Sequence, residues 1–191
     1  MKYMDINSDK RLKYRRYEDR RVAMMLSIYE IIFEEQNNTK RRRKILSAIA
    51  DNFQVEKASL IELLEIENEI CGCIEESFGN WKNSEKEEIL HGLGFKRLLE
   101  LHELVDGALS FESVRKSDAF EDNEWKDFWN ECADENSRAF LSVMINSQKR
   151  KLLWLQNVAS TREWSSRDRE LIEEVAFLLT KVERKEFSNS F

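Results

Sequence analysis

The chain has 191 residues, 41% hydrophobic and 36% charged, a length that suits one large domain or a domain with an extension. That balance is too apolar for a disordered coil and too charged for a membrane-buried bundle. With no proline and 5 glycines, proline-rich linkers and glycine-rich phosphate cradles are excluded and long helices are unopposed, so composition alone suggests an all-helical protein.

The net charge of −6 averages over two different objects. Met1 to Lys44 holds 13 basic and 7 acidic residues, and the rest of the chain holds 18 basic and 30 acidic, so an arm of +6 precedes a body of −12. The three cysteines, Cys71, Cys73 and Cys132, are odd in number and lack metal-ligand spacing, which fits reduced thiols in a cytoplasmic protein. The most apolar N-terminal run, Val22 to Phe33, is short and interrupted by Glu30, so neither a signal peptide nor a membrane span is expected.

In chain order, Val22, Met25, Leu26, Tyr29, Ile32 and Phe33 recur at three- and four-residue steps behind a charged stretch. This predicts one amphipathic helix from about Asp9 to Glu35. Asn38 or Thr39 is expected to cap a second helix carrying Ile45, Ala48, Ile49 and Phe53. Lys40 to Lys44 crowd positive charge into its first turns against the helix dipole, which calls for partners such as Glu34 and Glu35 or an external anion.

The period changes at Lys57, where the all-helical expectation fails. Lys57 to Glu65 is apolar on both alternating sets, as a strand covered on both faces would be. Ile70 to Ile74 reads as its hairpin partner through Glu67, Asn68 and Glu69. A polar gap from Asn80 to Lys86 leads to a helix ending near Val105, and Asp106-Gly107 stops it before a strand from Ala108 to Val114. Ser117 to Ser137, with Trp125, Phe128, Trp129 and Cys132 at helical spacing, predicts a short helix lying across an apolar surface. Ala139 to Ile145 and Leu152 to Val158 form a second hairpin. Ser165-Ser166-Arg167-Asp168 is a capping box, and Leu171, Ile172, Val175, Leu178, Leu179 and Val182 stripe the closing helix behind it. The sum is an α+β domain with an antiparallel sheet.

The run Phe140 to Ile145, then Leu152 to Val158, then Arg162-Glu163-Trp164-Ser165-Ser166-Arg167-Asp168, resembles the end of a GAF domain. Lys57-Ala58-Ser59-Leu60 is similar to that family's first strand, while Met144 stands where a proline is common. The likeness covers roughly Arg41 to Arg184, and is least specific from Asn80 to Asp122. It implies a GAF-like antiparallel sheet of five to six strands with helices on both sides, preceded by a long N-terminal helix. The sixth strand would be a short piece hidden in a loop. The expected organisation is an N-terminal amphipathic signalling and dimerisation helix over residues 1–38, a GAF-like domain over 39–186 and a tail over 187–191.

The resemblance further implies a non-enzymatic sensory module in the cytoplasm, binding a small molecule and signalling through its terminal helices to a downstream domain or protein. The ligand stays unidentified. The family's cyclic-nucleotide signature is not found, and Cys132 is followed by Ala133 where a bilin-binding member has histidine. His91 and His102 could be offered to haem, but both sit in a polar helical stretch that suits an exposed or satisfied histidine. Pocket walls are expected from Phe111, Trp125, Phe128, Trp129, Phe140 and Trp154, with Ser113, Cys132 and Ser137 as polar contacts. The competing reading makes these aromatics core.

For the homodimer the expected interface is Val22, Met25, Leu26, Tyr29, Ile32 and Phe33 with Leu178 and Val182, two helices from each protomer. The arginines of the first helix could instead grip nucleic acid or an anionic lipid surface, but Glu18, Asp19, Glu30, Glu34 and Glu35 interrupt them. A ligand-free dimerisation module is the alternative function, and a thiol-dependent free methionine sulfoxide reductase using Cys71 and Cys73 is a third.

Overall fold

The computed structural model describes residues 6–79, 89–90, 93–105, 107–112, 139–146, 150–158 and 160–188. Helix α1 spans Ile6–Glu34 and α2 Asn38–Phe53. Strands β1 (Lys57–Ile66), β2 (Glu69–Phe78) and β3 (Ile89–Leu90) follow, then α3 (Leu93–Leu104), β4 (Leu109–Phe111), β5 (Ala139–Asn146), β6 (Lys151–Asn157) and α4 (Ser166–Ser188). The six strands form one antiparallel sheet in the order β3-β2-β1-β6-β5-β4. The short sixth strand is β3, which pairs Ile89 and Leu90 with Cys73 and Gly72 of β2; it lies in the stretch after Lys86 expected as helix, and α3 begins only at Leu93.

Local chemistry explains most boundaries. Asn37, not Asn38 or Thr39, caps α2: its backbone is extended and its side chain accepts from the Lys40 amide at 2.9 Å, whereas Asn38 and Thr39 are already helical. The β1–β2 turn is made by Glu67 and Asn68, both at positive φ (53° and 69°), as a two-residue hairpin of the right twist requires. The capping box of α4 is complete: Ser165 Oγ accepts from the Asp168 amide at 3.1 Å, and Asp168 Oδ2 accepts from the Ser165 amide at 3.0 Å. Strand β2 runs on past Ile74 to Phe78 across a bulge, where the β1 pairing slips between Leu60 and Ile61 and leaves Glu75 without a partner residue in the register. That bulge breaks the alternation that would have marked the strand's second half.

The sheet divides the core in two. On one face α1, α2 and α4 bury Met24, Ile28, Ile45, Ile49, Phe53, Leu171, Ile172 and Val175 against Leu60, Leu141, Val143, Leu153 and Leu155. On the other, α3 packs Phe95, Leu98 and Leu99 over Ile61, Leu63, Leu109, Phe140, Leu152 and Trp154. Gly72 lets α3 come this close, since a Cβ there would stand 2.6 Å from the Phe95 ring.

The positive charge of α2 is met inside the chain. Lys44 binds Glu35 at 2.8 Å and Arg43 binds Glu76 at 2.6 Å. Buried Lys151 sits 2.6 Å from Glu75 and 3.3 Å from Glu183, and Arg42 lies 3.8 and 3.7 Å from the same two carboxylates. Glu35 was expected from local spacing; Glu75, Glu76 and Glu183 arrive only through the sheet bulge and α4.

Candidate functional site

Side chains directly opposite each other on paired strands point to one face, so the register of β4, β5, β6 and β1 lays the α3 side of the sheet out in rows. Phe111, Phe140, Gln156 and Lys57 make the first row. Leu109, Ser142, Trp154, Ser59 and, on β2, Ser77 make the second. Met144, Leu152 and Ile61 make the third, beside α3. Phe111 lies 4.4 Å from Phe140, and Phe140 stacks on Trp154 at 4.6 Å between centroids with 21° between planes.

Polar groups are interleaved with this aromatic stack and buried with it: Lys57, Ser59, Ser142, Gln156 and His102 are all nearly inaccessible. Burying such groups costs free energy unless a partner is supplied. Ser142 Oγ has one, the His102 Nε2 at 2.9 Å. Burial alone holds the His102 pKa down at about 4, so the ring is neutral at physiological pH. Its Nδ1 and the Ser59 hydroxyl have no hydrogen-bond partner among the described residues.

Of the residues expected as pocket walls, the structure brings together Phe111, Phe140 and Trp154. Ser113, Trp125, Phe128, Trp129, Cys132 and Ser137 lie outside the described residues, as do His91 and the expected helix from Ser117 to Ser137. Sequence reasoning overlooked Lys57, Ser59, Ser142 and Gln156. The available signal was their parity, because each is polar on the alternating set that also carries Phe140, Trp154 or Ile61. His102 was read as lying on a polar helical stretch; it is buried because its turn of α3 lies over Ser142.

Cys71 and Cys73 are turned away from these rows. The Cβ position of the intervening Gly72 faces Phe95 of α3, so the alternation of β2 sends both thiols to the opposite face. Burial also raises the Cys71 pKa, favouring the unreactive thiol.

The expected dimer residues of α1 separate: Met25 and Ile32 are half-buried against the domain's own core, beside Met24, Ile28 and Ile31, which the expected interface does not include. Val22, Leu26, Tyr29 and Phe33 are 52%, 57%, 45% and 77% exposed. At roughly 100° per residue these four and the core-facing Met24, Ile28 and Ile31 are centred roughly 165° apart on the helix. On α4, Leu178 belongs to the core and Val182 is half-buried.

No family model and no curated relative matches the sequence. The fold, however, matches solved structures over most of its length. The GAF domain of an Acinetobacter phosphoenolpyruvate-protein phosphotransferase superposes with a TM-score of 0.65 at 16% identity, covering 89% of this chain and 96% of that one. The chain has the GAF-domain fold. The corresponding domain from Coxiella burnetii gives the same TM-score and coverage at 14% identity. A free methionine-R-sulfoxide reductase from Neisseria meningitidis, bound to its substrate, matches with a TM-score of 0.56 at 12% identity, over 81% of this chain and 83% of that one. On this GAF fold the polar and aromatic rows occupy the sheet face opposite α1, α2 and α4. No helix among the described residues is long and apolar enough to cross a membrane.

Proposed function

We propose that this protein is a non-enzymatic regulatory module of the GAF type, holding a small molecule against the sheet face formed by Phe111, Phe140, Trp154, Ser59, Gln156 and Lys57. The observation that carries the reading is the set of buried polar side chains beside an aromatic stack, the pairing of apolar enclosure and a few directed polar groups that small-molecule sites use. The thiols point to the other face, which disfavours a reductase working at this surface.

The output runs through α1 to a downstream domain or protein. Its outward residues Val22, Leu26, Tyr29 and Phe33 follow 4-3-4 spacing, the seam of a two-helix coiled coil, and the occupant we assign to it is α1 of a second copy. An apolar stripe on each of two opposite faces suits a helix with two partners, its own domain and another protomer. Ligand at the sheet face would bias how α1 docks, as a shift between two helix arrangements.

Native mass spectrometry of the gently purified protein tests the first half. A retained small molecule, lost in Ser59→Leu while the dimer mass persists, is expected. If nothing is retained and no metabolite raises the melting temperature, sensing at this face is wrong. Should Leu26→Glu still convert a dimer to a monomer, the ligand-free dimerisation module is then the better reading.

A further inference from the structure

A cleft lies on the other side of the sheet from the candidate site, between α1 and the start of α4. It has a volume of about 600 Å³ and is lined by Arg16, Tyr17, Arg20, Arg162, Ser165, Ser166, Arg167 and Asp168. Its lining thus holds four guanidinium groups and one carboxylate in a protein whose net charge is −6, and two of the four, Arg20 and Arg162, reach that carboxylate.

That carboxylate is already committed. Asp168 accepts from the Ser165 amide at 3.0 Å and hydroxyl at 2.7 Å, and Arg20 and Arg162 share its other oxygen at 3.2 and 3.7 Å. Arg167 is held by ring faces instead of an anion, 4.9 Å from the Tyr14 centroid and 5.1 Å from Tyr17, while the Tyr17 hydroxyl donates to the Arg167 carbonyl at 2.7 Å. Arg16 is exposed and has no carboxylate partner among the described residues. Arg20 Nε is buried from solvent and makes no hydrogen bond among them. The Arg162 pKa is pushed down by burial, against the opposing charge of Asp168, with the Arg20 charge adding to the burial effect.

Two of the surrounding acids, Glu174 and Glu18, are taken by Arg21, at 2.5 and 3.2 Å. Glu56 accepts from the Val158 amide at 3.0 Å and its charge acts on Arg162. Glu170 is exposed outside the cleft lining, so the surplus is that of the lining itself, four guanidinium groups to one carboxylate.

We infer that this cleft is a binding site for a small soluble molecule bearing phosphate groups. Planar guanidinium forks match phosphate oxygens in pairs, and the volume falls within the several-hundred-Å³ range of small-molecule sites. Arg16 and Arg20 come from α1 and Arg162 and Arg167 from the α4 entry, so a bound polyanion bridges the seam and adds to the Arg20–Asp168 and Arg21–Glu174 pairs that already fasten α1 to the domain.

The test is isothermal titration with inorganic pyrophosphate at ionic strength held constant with sodium chloride, on the full chain. Saturable binding is expected, weakened at least tenfold in Arg16→Gln and in Arg167→Gln. It should be unchanged in Arg15→Gln, an exposed neighbour outside the cleft. Arg16 supports no structural contact among the described residues, so its variant is expected to keep the wild-type melting temperature. Absence of saturable binding, or equal weakening by all three substitutions, overturns the site. Capture by phosphatidic-acid vesicles without saturation by pyrophosphate also overturns it, in favour of a membrane-facing basic surface.

Discussion

His102 ties the stability of this domain to pH in a way that can be worked through. The imidazole is 7% exposed, bonded to Ser142 Oγ at 2.9 Å, and burial lowers its pKa from 6.5 to about 4. The depressed value belongs to a base, so the folded state disfavours the protonated ring. Between pH 6.5 and 4 the unfolded chain binds more protons than the folded one, and stability falls with acidification. At about 1.36 kcal/mol per pKa unit, the full loss across that window is about 3 kcal/mol, of which about 2 kcal/mol is gone by pH 5. Urea unfolding at pH 7.5 and pH 5 measures the difference. In His102→Leu/Ser142→Ala, which removes donor and acceptor together, stability at pH 7.5 should change little, and the loss on going to pH 5 should shrink by about 2 kcal/mol. If the double variant loses as much stability as wild type, or if the His102 ring titrates near 6.5 by NMR, the burial argument is refuted.

Three further outcomes follow from packing and charge. Gly72→Ala places a methyl 2.6 Å from the Phe95 ring, and the resulting overpacking should cost about 1–3 kcal/mol, read as a lower urea midpoint. Lys151→Ala removes the buried ammonium between Glu75 and Glu183 and leaves them Arg42 as a cation, and should cost about 1–3 kcal/mol. In a double-mutant cycle Glu75→Gln should recover part of that loss, whereas strict additivity would mean that the pair is uncoupled. Ser165→Ala removes the hydroxyl that accepts from the Asp168 amide, and a loss of about 1 kcal/mol is expected from chemical denaturation.

How much of this was legible beforehand depended on the range of the interaction involved. The Ser165/Asp168 cap lies within one helical turn, and the change of period at Lys57 lies within one strand, so both could be read directly. The aromatic members Phe111, Phe140 and Trp154 could be named through the resemblance to a GAF domain, but not the polar side chains buried with them. Ser59 and Ser142 share their parity with Ile61 and Phe140, but a serine in a strand looks the same from its neighbours whether its row is covered or wet, and it is the register that aligns both with Trp154.

The amino-acid sequence carried the order of the long elements, the two hairpins, the α4 capping box and an α1 whose apolar residues recur at helical steps, because each rests on contacts a few residues apart; it misplaced the α2 cap, which is Asn37, and did not place β3. It could not divide that recurrence into the inward Met24, Ile28 and Ile31 and the outward Val22, Leu26, Tyr29 and Phe33, since a periodicity specifies a helix without saying which side another surface will cover. The tertiary structure decided that, and it also paired His102 with Ser142, Lys151 with Glu75, and Arg16 and Arg20 with the entry to α4. These partners lie 40 residues apart for His102, 76 for Lys151 and 148 for Arg20 and Asp168. Only closure of the sheet and docking of α1 on α4 brings such groups within reach, so burial and charge at the two candidate sites are properties of the fold.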